Sequence, residues 1–353
     1  MKRALSLARV RKGETHPNPT VGCVIVKDGK IVGEGFHRKA GEPHAEAVAL
    51  KKAGKRAKGA TVYVTLEPCS HYGRTPPCAV ALAKAGVKRV VMATLDPNPL
   101  VAGKGVQILK NFGVKVEVGL LEKEAKELNV DFFYWIVNRT PLVSLKIAQT
   151  LDGFISTSPT QRVSITNSRS RKFVHRIRCE HTAVLIGIDT ALVDNPLLTV
   201  RDYYCERQPL RVILDTHLRF DERLNLANTA VAPTLVFTAS DNGKKAERLR
   251  QRGIEVVKVS AEDGRVDLKE VLRKLGRRDI LSVLVEGGAR VFESFLRQNL
   301  FHRLYLFTAP KVFGRGVKAF PEGVSLEGLK LKELKKFGDD TLAVYENPSP
   351  QRV

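Results

Sequence analysis

Two α/β domains are predicted for this chain of 353 residues. Three observations predict them. Each half alternates β-branched strand segments with helical ones, a polar, Pro-marked stretch, Asn138-Arg139-Thr140-Pro141, separates the halves, and the length suits two units of about 100–200 residues.

The elements follow in order. The chain opens with a short amphipathic helix, ALSLARVRKG. Residues 21–26 and 30–36 flank Asp28-Gly29, a dipeptide suited to a tight two-residue turn, and form a hairpin. Residues 44–53 carry helical spacing with small side chains where a helix lies against a sheet, and residues 60–66 read as a buried strand. Pro68 marks a helix start just before Cys69. Strand and helix then alternate: helix 80–85, strand 89–94, helix 105–112, strand 114–118 and a last helix over 122–137. In the second half LVSLKIAQTLDG begins a fresh strand. Further strands fall at 183–187, 211–214, 234–238, 254–259, 282–285 and 303–309, with helices at 168–179, 244–252, 268–275 and 289–298. The domains are set at 1–139 and 140–346, with NPSPQRV, residues 347–353, as a flexible tail.

A hydrophobic share of 43% and a charged share of 27% are ordinary for a soluble globular chain. The apolar runs fall far short of the roughly 20 residues of a membrane span, and Arg and Lys punctuate the N-terminus too often for a signal peptide, so a cytoplasmic location is expected. With 59 Lys+Arg against 37 Asp+Glu, the net charge of +22 favours an anionic partner without naming it. The five cysteines are too scattered for a disulfide framework; Cys23, Cys179 and Cys205 are expected to be reduced.

The other two belong to a chemical constellation. His44, Cys69 and Cys78 supply one imidazole and two thiolates, a set that zinc accepts while keeping its fourth position open. Glu46, two residues after His44, suits proton transfer. His-x-Glu, then Pro-Cys and a later Cys, is the pattern of zinc deaminases. Here eight residues, SHYGRTPP, separate the cysteines where two are usual, bringing His71 and Arg74 beside the site. Asn18, in HPNPTVG, is either a turn residue or a contact to a sugar or base edge. In the second half Glu286-Gly287-Gly288 sits between a buried strand and a helix, where glycines let backbone N–H groups approach a phosphate. KIAQTLDG around Lys146 and DNPLLTVR from Asp194 to Arg201 cluster polar groups at strand exits.

PHAE, EPCSHYGRTPPC, KIAQTLDG, IGIDTALVDNPLLTVR and LVEGGAR, in this order, resemble the bifunctional deaminase/reductase family of riboflavin biosynthesis, over nearly the whole chain. The resemblance implies a cytidine-deaminase-like three-layer N-terminal domain and a dihydrofolate-reductase-like C-terminal one. It implies zinc on His44, Cys69 and Cys78 with Glu46 catalytic, NADPH as the second cofactor, and a small phosphorylated pyrimidine as substrate. Cofactor contacts carried over are Ala148, Ser164, Thr190, Asp194, Thr216 and Gly288, Ala289, Arg290, Val291, Phe292, Glu293 and Ser294. Substrate contacts are Arg162, Arg178, Leu198, Arg201 and Glu286, with Asn18, His71, Arg74, Lys146, Thr166 and Gly287 in support. RVSIT departs from the family's Gln-Trp-Ile-Thr, so Ser164 stands where an aromatic covers the cofactor and Arg162 where a small hydroxyl residue stands. A homo-oligomer is expected, with neither nucleic acid nor membrane as partner. The rival, a polynucleotide-editing deaminase using the +22 charge, fits the long cysteine gap and the second-half motifs poorly.

Overall fold

The computed structural model describes residues 1–71, 76–99, 101–161 and 163–353. Arg74 and Arg162 lie outside the described residues. The chain divides into two compact units, Met1–Asn138 and Arg139–Val353.

The first unit is built on a five-stranded sheet in the order Lys30–Phe36, Gly22–Lys27, Thr61–Val64, Arg89–Met92, Lys115–Val118. Its first three strands pair antiparallel and its last three parallel. Asp28 and Gly29 both take positive φ, 50° and 74°, as a tight hairpin turn demands. The helix Ala45–Ala53 lies close on the sheet because the strand beneath it presents glycines: a Cβ at Gly33 would come within 2.3 Å of the Ala49 carbonyl oxygen, and one at Gly35 within 2.5 Å of that of Ala45. Ala45, Ala49 and Ala53 fill the remaining gap. That close approach places the start of the helix, and with it His44, at one end of the sheet.

Two expectations fail here for physical reasons. No helix starts at Pro68; Cys69 lies in irregular chain, and the helix Cys78–Lys84 begins at the second cysteine behind Pro77. The segment is held elsewhere: the buried Glu67 carboxylate accepts hydrogen bonds from the backbone N–H groups of Asp96, Gly103 and Val106. The last helix is two, Glu122–Leu128 and Val130–Asn138, parted at Asn129, whose side chain bonds Thr20.

The second unit carries a nine-stranded sheet in the order Glu255–Lys258, Thr234–Thr238, Leu210–Leu214, Ala183–Gly187, Ser282–Gly287, Leu142–Thr150, Arg303–Ala309, Asp340–Glu346, Lys330–Phe337. The first seven run parallel and the last two antiparallel. One apolar cluster covers each face: Phe292, Phe295 and Leu272 belong to one, Ile177, Leu198 and Phe307 to the other. The last two strands were not foreseen; in the outer one LKLKELKKF carries four lysines on a mostly exposed strand. Nor was the short helix Ile188–Asp194.

Two further expectations are corrected. Cys179 and Cys205 form a disulfide, the helix Ser168–Glu180 and the loop after Arg201 folding together so that their Cα atoms lie 6.0 Å apart. Cys23 is free and buried, as expected. The tail is tied down rather than flexible: Asn347 donates to Asn299 and to the Phe301 carbonyl, Gln351 N–H donates to the Asn299 carbonyl, and Val353 packs on the core.

Candidate functional site

The first site forms where the two helix starts of the first unit converge. His44 is the residue before the helix Ala45–Ala53 and has extended backbone (φ −68°, ψ 161°), which turns its ring out of the helix. Its Nδ1 lies 3.6 Å from Cys69 Sγ and 3.4 Å from Cys78 Sγ. The three donor atoms lie within 4.8 Å of one another. A tetrahedral zinc with bonds of about 2.3 Å to sulfur and 2.0–2.1 Å to nitrogen sets the N···S separation near 3.6 Å, so the residues fit the ion. Their charges fit too. The Cys69 thiol is made more acidic by the Cys78 side chain, by His44 and by the Cys78 backbone N–H, which points at its sulfur from 3.3 Å. The Cys78 thiol is pushed the other way by Cys69 and by burial.

Glu46, in the first turn of the same helix, is 3% exposed, and burial pushes its carboxyl up to about 7. A carboxyl poised there both takes and returns a proton near neutral pH. Asn18 comes to the same site by way of a residue not foreseen, His37. The Asn18 Nδ2 group donates to His37 Nε2 at 3.1 Å, and His37 Nδ1–H donates to the Pro43 carbonyl at 3.2 Å, which fixes the tautomer. His37 stands edge-on to His44, ring centres 5.3 Å apart. Burial lowers the His37 pKa, keeping it neutral. His71 is exposed on the loop, near enough to Asp96 to act on its carboxylate.

The second site lies at the carboxyl ends of neighbouring parallel strands, where open α/β sheets bind ligands. The Leu142–Thr150 strand contributes Lys146 and Ala148, the Ser282–Gly287 strand Glu286 and Gly287, and the helix after Gly187 contributes Thr190 and Asp194. Arg178 forks onto Glu286, Nε to one carboxylate oxygen and Nη2 to the other at 2.9 Å, and its Nη1 donates to the Thr199 carbonyl at 3.0 Å. Burial opposes the Glu286 charge, but Arg178 and Lys146 outweigh it and hold the carboxyl below its usual range. Burial lowers the Lys146 pKa against the pull of Glu286.

Gly287 and Gly288 keep the neighbouring space open. A Cβ at Gly287 would lie 3.1 Å from the Thr190 methyl and one at Gly288 3.3 Å from its hydroxyl; Gly288 also has φ +90°. The start of the helix Ala289–Arg297 and the Thr190 hydroxyl thus border a cradle that side chains would fill, which suits a dinucleotide phosphate. Other residues carried over are differently engaged. Phe292, 3% exposed, and Leu198, 4% exposed, are core side chains, so only their backbone can line a site. Ser294 Oγ accepts from Arg265, and Glu293 pairs with Arg297 and Arg265. Arg290 lies 3.8 Å from Asp189 and Ser164 Oγ accepts from Arg171 at 3.1 Å. The Thr166 carbonyl also accepts from Arg171, and the Thr216 carbonyl from Ala239 N–H. Arg201 donates to Thr199 Oγ1 at 2.9 Å. Its N–H lies 3.2 Å from His175 Nδ1, another residue not foreseen, although His175 and Arg178 share a helix face at i,i+3.

A family model described as the cytidine and deoxycytidylate deaminase zinc-binding region matches residues 1–94, and one described as the RibD C-terminal domain matches residues 141–343. The riboflavin biosynthesis protein RibD of Aquifex aeolicus (strain VF5) is 49% identical over 350 residues, 98% of this chain and 97% of that protein. The chain belongs to the RibD family. RibD of Escherichia coli (strain K12) is 39% identical, with 96% of each chain covered. Among solved structures, Acinetobacter baumannii RibD superposes with a TM-score of 0.89 at 39% identity, over 98% of this chain and 97% of that one. The Thermotoga maritima diaminohydroxyphosphoribosylaminopyrimidine deaminase/5-amino-6-(5-phosphoribosylamino)uracil reductase superposes with a TM-score of 0.87 at 38% identity and the same coverage. As a RibD protein the chain is a bifunctional deaminase and reductase of riboflavin biosynthesis, using zinc and NADPH. Its folds are those of the deaminase and RibD C-terminal families, as expected.

Proposed function

We propose that the two sites act in sequence on one phosphorylated pyrimidine: the first replaces the 2-amino group of 2,5-diamino-6-ribosylamino-4(3H)-pyrimidinone 5′-phosphate by oxygen, and the second reduces the ribosyl chain to ribityl, giving 5-amino-6-ribitylamino-uracil 5′-phosphate. The donor triangle of His44, Cys69 and Cys78, with buried Glu46 beside it, carries the reading.

Those three residues would hold zinc, which when bound supplies Lewis acidity toward water. Glu46 takes a proton from the incoming water and returns protons to the ring nitrogen and the departing ammonia; its pKa near 7 suits both directions. Asn18, held by His37, offers its amide oxygen and remaining N–H to the base edge. His71 meets the substrate's phosphate, for which the cation of Arg74 is also suited.

In the second site NADPH supplies hydride when bound. Gly287, Gly288 and Thr190 border its phosphates, while Ala148, Asp194 and Thr216 line the carboxyl-end side of the same sheet. The Arg178–Glu286 fork fixes the Thr199 carbonyl, and Arg201, on the same segment, meets the substrate's phosphate. Lys146 and Asp194 organise the polar groups around the reacting sugar. Cytoplasmic operation and a homo-oligomeric state belong to the same proposal; fractionation and sedimentation velocity test them.

The deciding experiment follows ammonia release and product from the diaminopyrimidine phosphate with and without NADPH. Deamination without NADPH, and ribityl product only with it, is expected. Ammonia release that requires NADPH would overturn the assignment of two independent sites.

A further inference from the structure

Asn18 lies within residues 16–20, a segment gripped at both ends by the helix pair that closes the first unit. At one end Asn129 pairs with Thr20 as a strand backbone would: Thr20 N–H donates to its Oδ1 at 2.7 Å, and its Nδ2 donates to the Thr20 carbonyl at 2.9 Å. Thr20 Oγ1 also donates to the Ala8 carbonyl at 2.7 Å. At the other end Asp131 meets His16 Nε2 at 3.0 Å. Between the anchors, Thr15 Oγ1 donates to the Asn18 carbonyl at 3.0 Å, and the Asn18 side chain reaches His37, which stands against His44.

Apolar packing would hold this segment down without fixing its rotation, because it has no direction. A two-bond amide pair and a carboxylate–imidazole hydrogen bond fix both. Asn129 is 2% exposed and its amide is spent on Thr20, so it acts on substrate only through the segment it holds. It stands 109 positions from Thr20 and beyond the zinc-binding region matched over residues 1–94.

We infer that Asn129 and Asp131 are positioning residues of the deaminase, setting the orientation in which Asn18 meets the pyrimidine. The inference rests on the reading that Asn18 contacts substrate, and the test separates the two. Deaminase kcat and KM, zinc per chain and NADPH oxidation on pre-deaminated substrate are measured for Asn129→Ala, Asn129→Asp, Asp131→Ala and Asn18→Ala.

Asn129→Ala is expected to raise KM about tenfold with kcat changed less than about threefold, the signature of lost uniform binding. Zinc content and the reductase constants stay at wild-type values. Asn129→Asp, which keeps the acceptor for Thr20 N–H, falls between. Asp131→Ala raises KM in the same sense and decides the matter should Asn129→Ala not fold. Unchanged KM in the folded variants, or a parallel loss of KM, kcat and zinc, overturns the positioning role. Unchanged KM in Asn18→Ala overturns the underlying site assignment, and the inference with it.

Discussion

The two sites of this chain are built on opposite plans. The first draws its donors from 35 consecutive residues, His44 to Cys78, and they touch one another, sulfur to imidazole at 3.4 and 3.6 Å. The second draws on residues from Lys146 to Gly288 and is held by a buried charge network in which Arg178 answers Glu286 from 108 positions away. A site of the first kind asks the fold for two helix starts at one end of a sheet. One of the second kind asks for a whole parallel sheet, and its charges hold the protein as much as they serve a ligand.

The contrast can be broken most sharply at Glu46. Glu46→Gln should cut deamination by about 10²–10⁴-fold, the usual worth of a positioned acid–base group, with zinc retained and NADPH oxidation on pre-deaminated substrate unchanged. Metal analysis beside the two activity assays checks it, and a matching fall in reductase activity would show that the sites are not independent.

Next in size is the fork. Arg178→Ala leaves the Glu286 carboxylate buried with only the weaker pull of Lys146 and His175, and stranding a buried charge costs about 3–5 kcal/mol. The urea midpoint of the second unit should fall accordingly, with deamination preserved at temperatures where the protein stays folded. A small shift with full reductase activity would mean the pair is no part of that site's framework.

The smallest effect is a pH dependence confined to the second unit. Burial holds the His302 pKa down to about 4, and Nδ1 accepts from Val143 N–H at 3.1 Å. The unfolded chain protonates this residue below about 6.5, so between pH 6.5 and 4 the unfolded state binds more protons and stability falls as pH falls, by up to about 3 kcal/mol. Urea midpoints at pH 7 and 4.5 should converge in His302→Gln relative to the parent. Equal slopes in the two proteins would remove His302 as the cause.

Legibility in the sequence follows the same division. The hairpin at Asp28-Gly29, the helix over Ala45–Ala53 and the His-Glu-Cys-Cys constellation are local patterns, and local patterns survive in a linear reading. The position of Cys69 was misjudged because Pro68 signals a helix start while Glu67, bonded to three distant N–H groups, keeps the segment irregular. The helix break at Asn129 was hidden for the same reason, its partner being Thr20. In the second unit, resemblance supplied residue names that periodicity could not. Even so, it did not separate core side chains such as Phe292 and Leu198 from groups free to meet a ligand. The Cys179–Cys205 bond depends on a helix end and a loop meeting in space. His175 and His37 were missed because a single histidine carries no pattern of its own.

The boundary between the units is short: Asn138 ends a helix and Leu142 begins a strand. Both catalysts are therefore translated together, one copy of each from every completed chain. Differences in promoter strength or message lifetime cannot alter their ratio, so any imbalance between making the deaminated intermediate and consuming it must come from the turnover rates of the two sites.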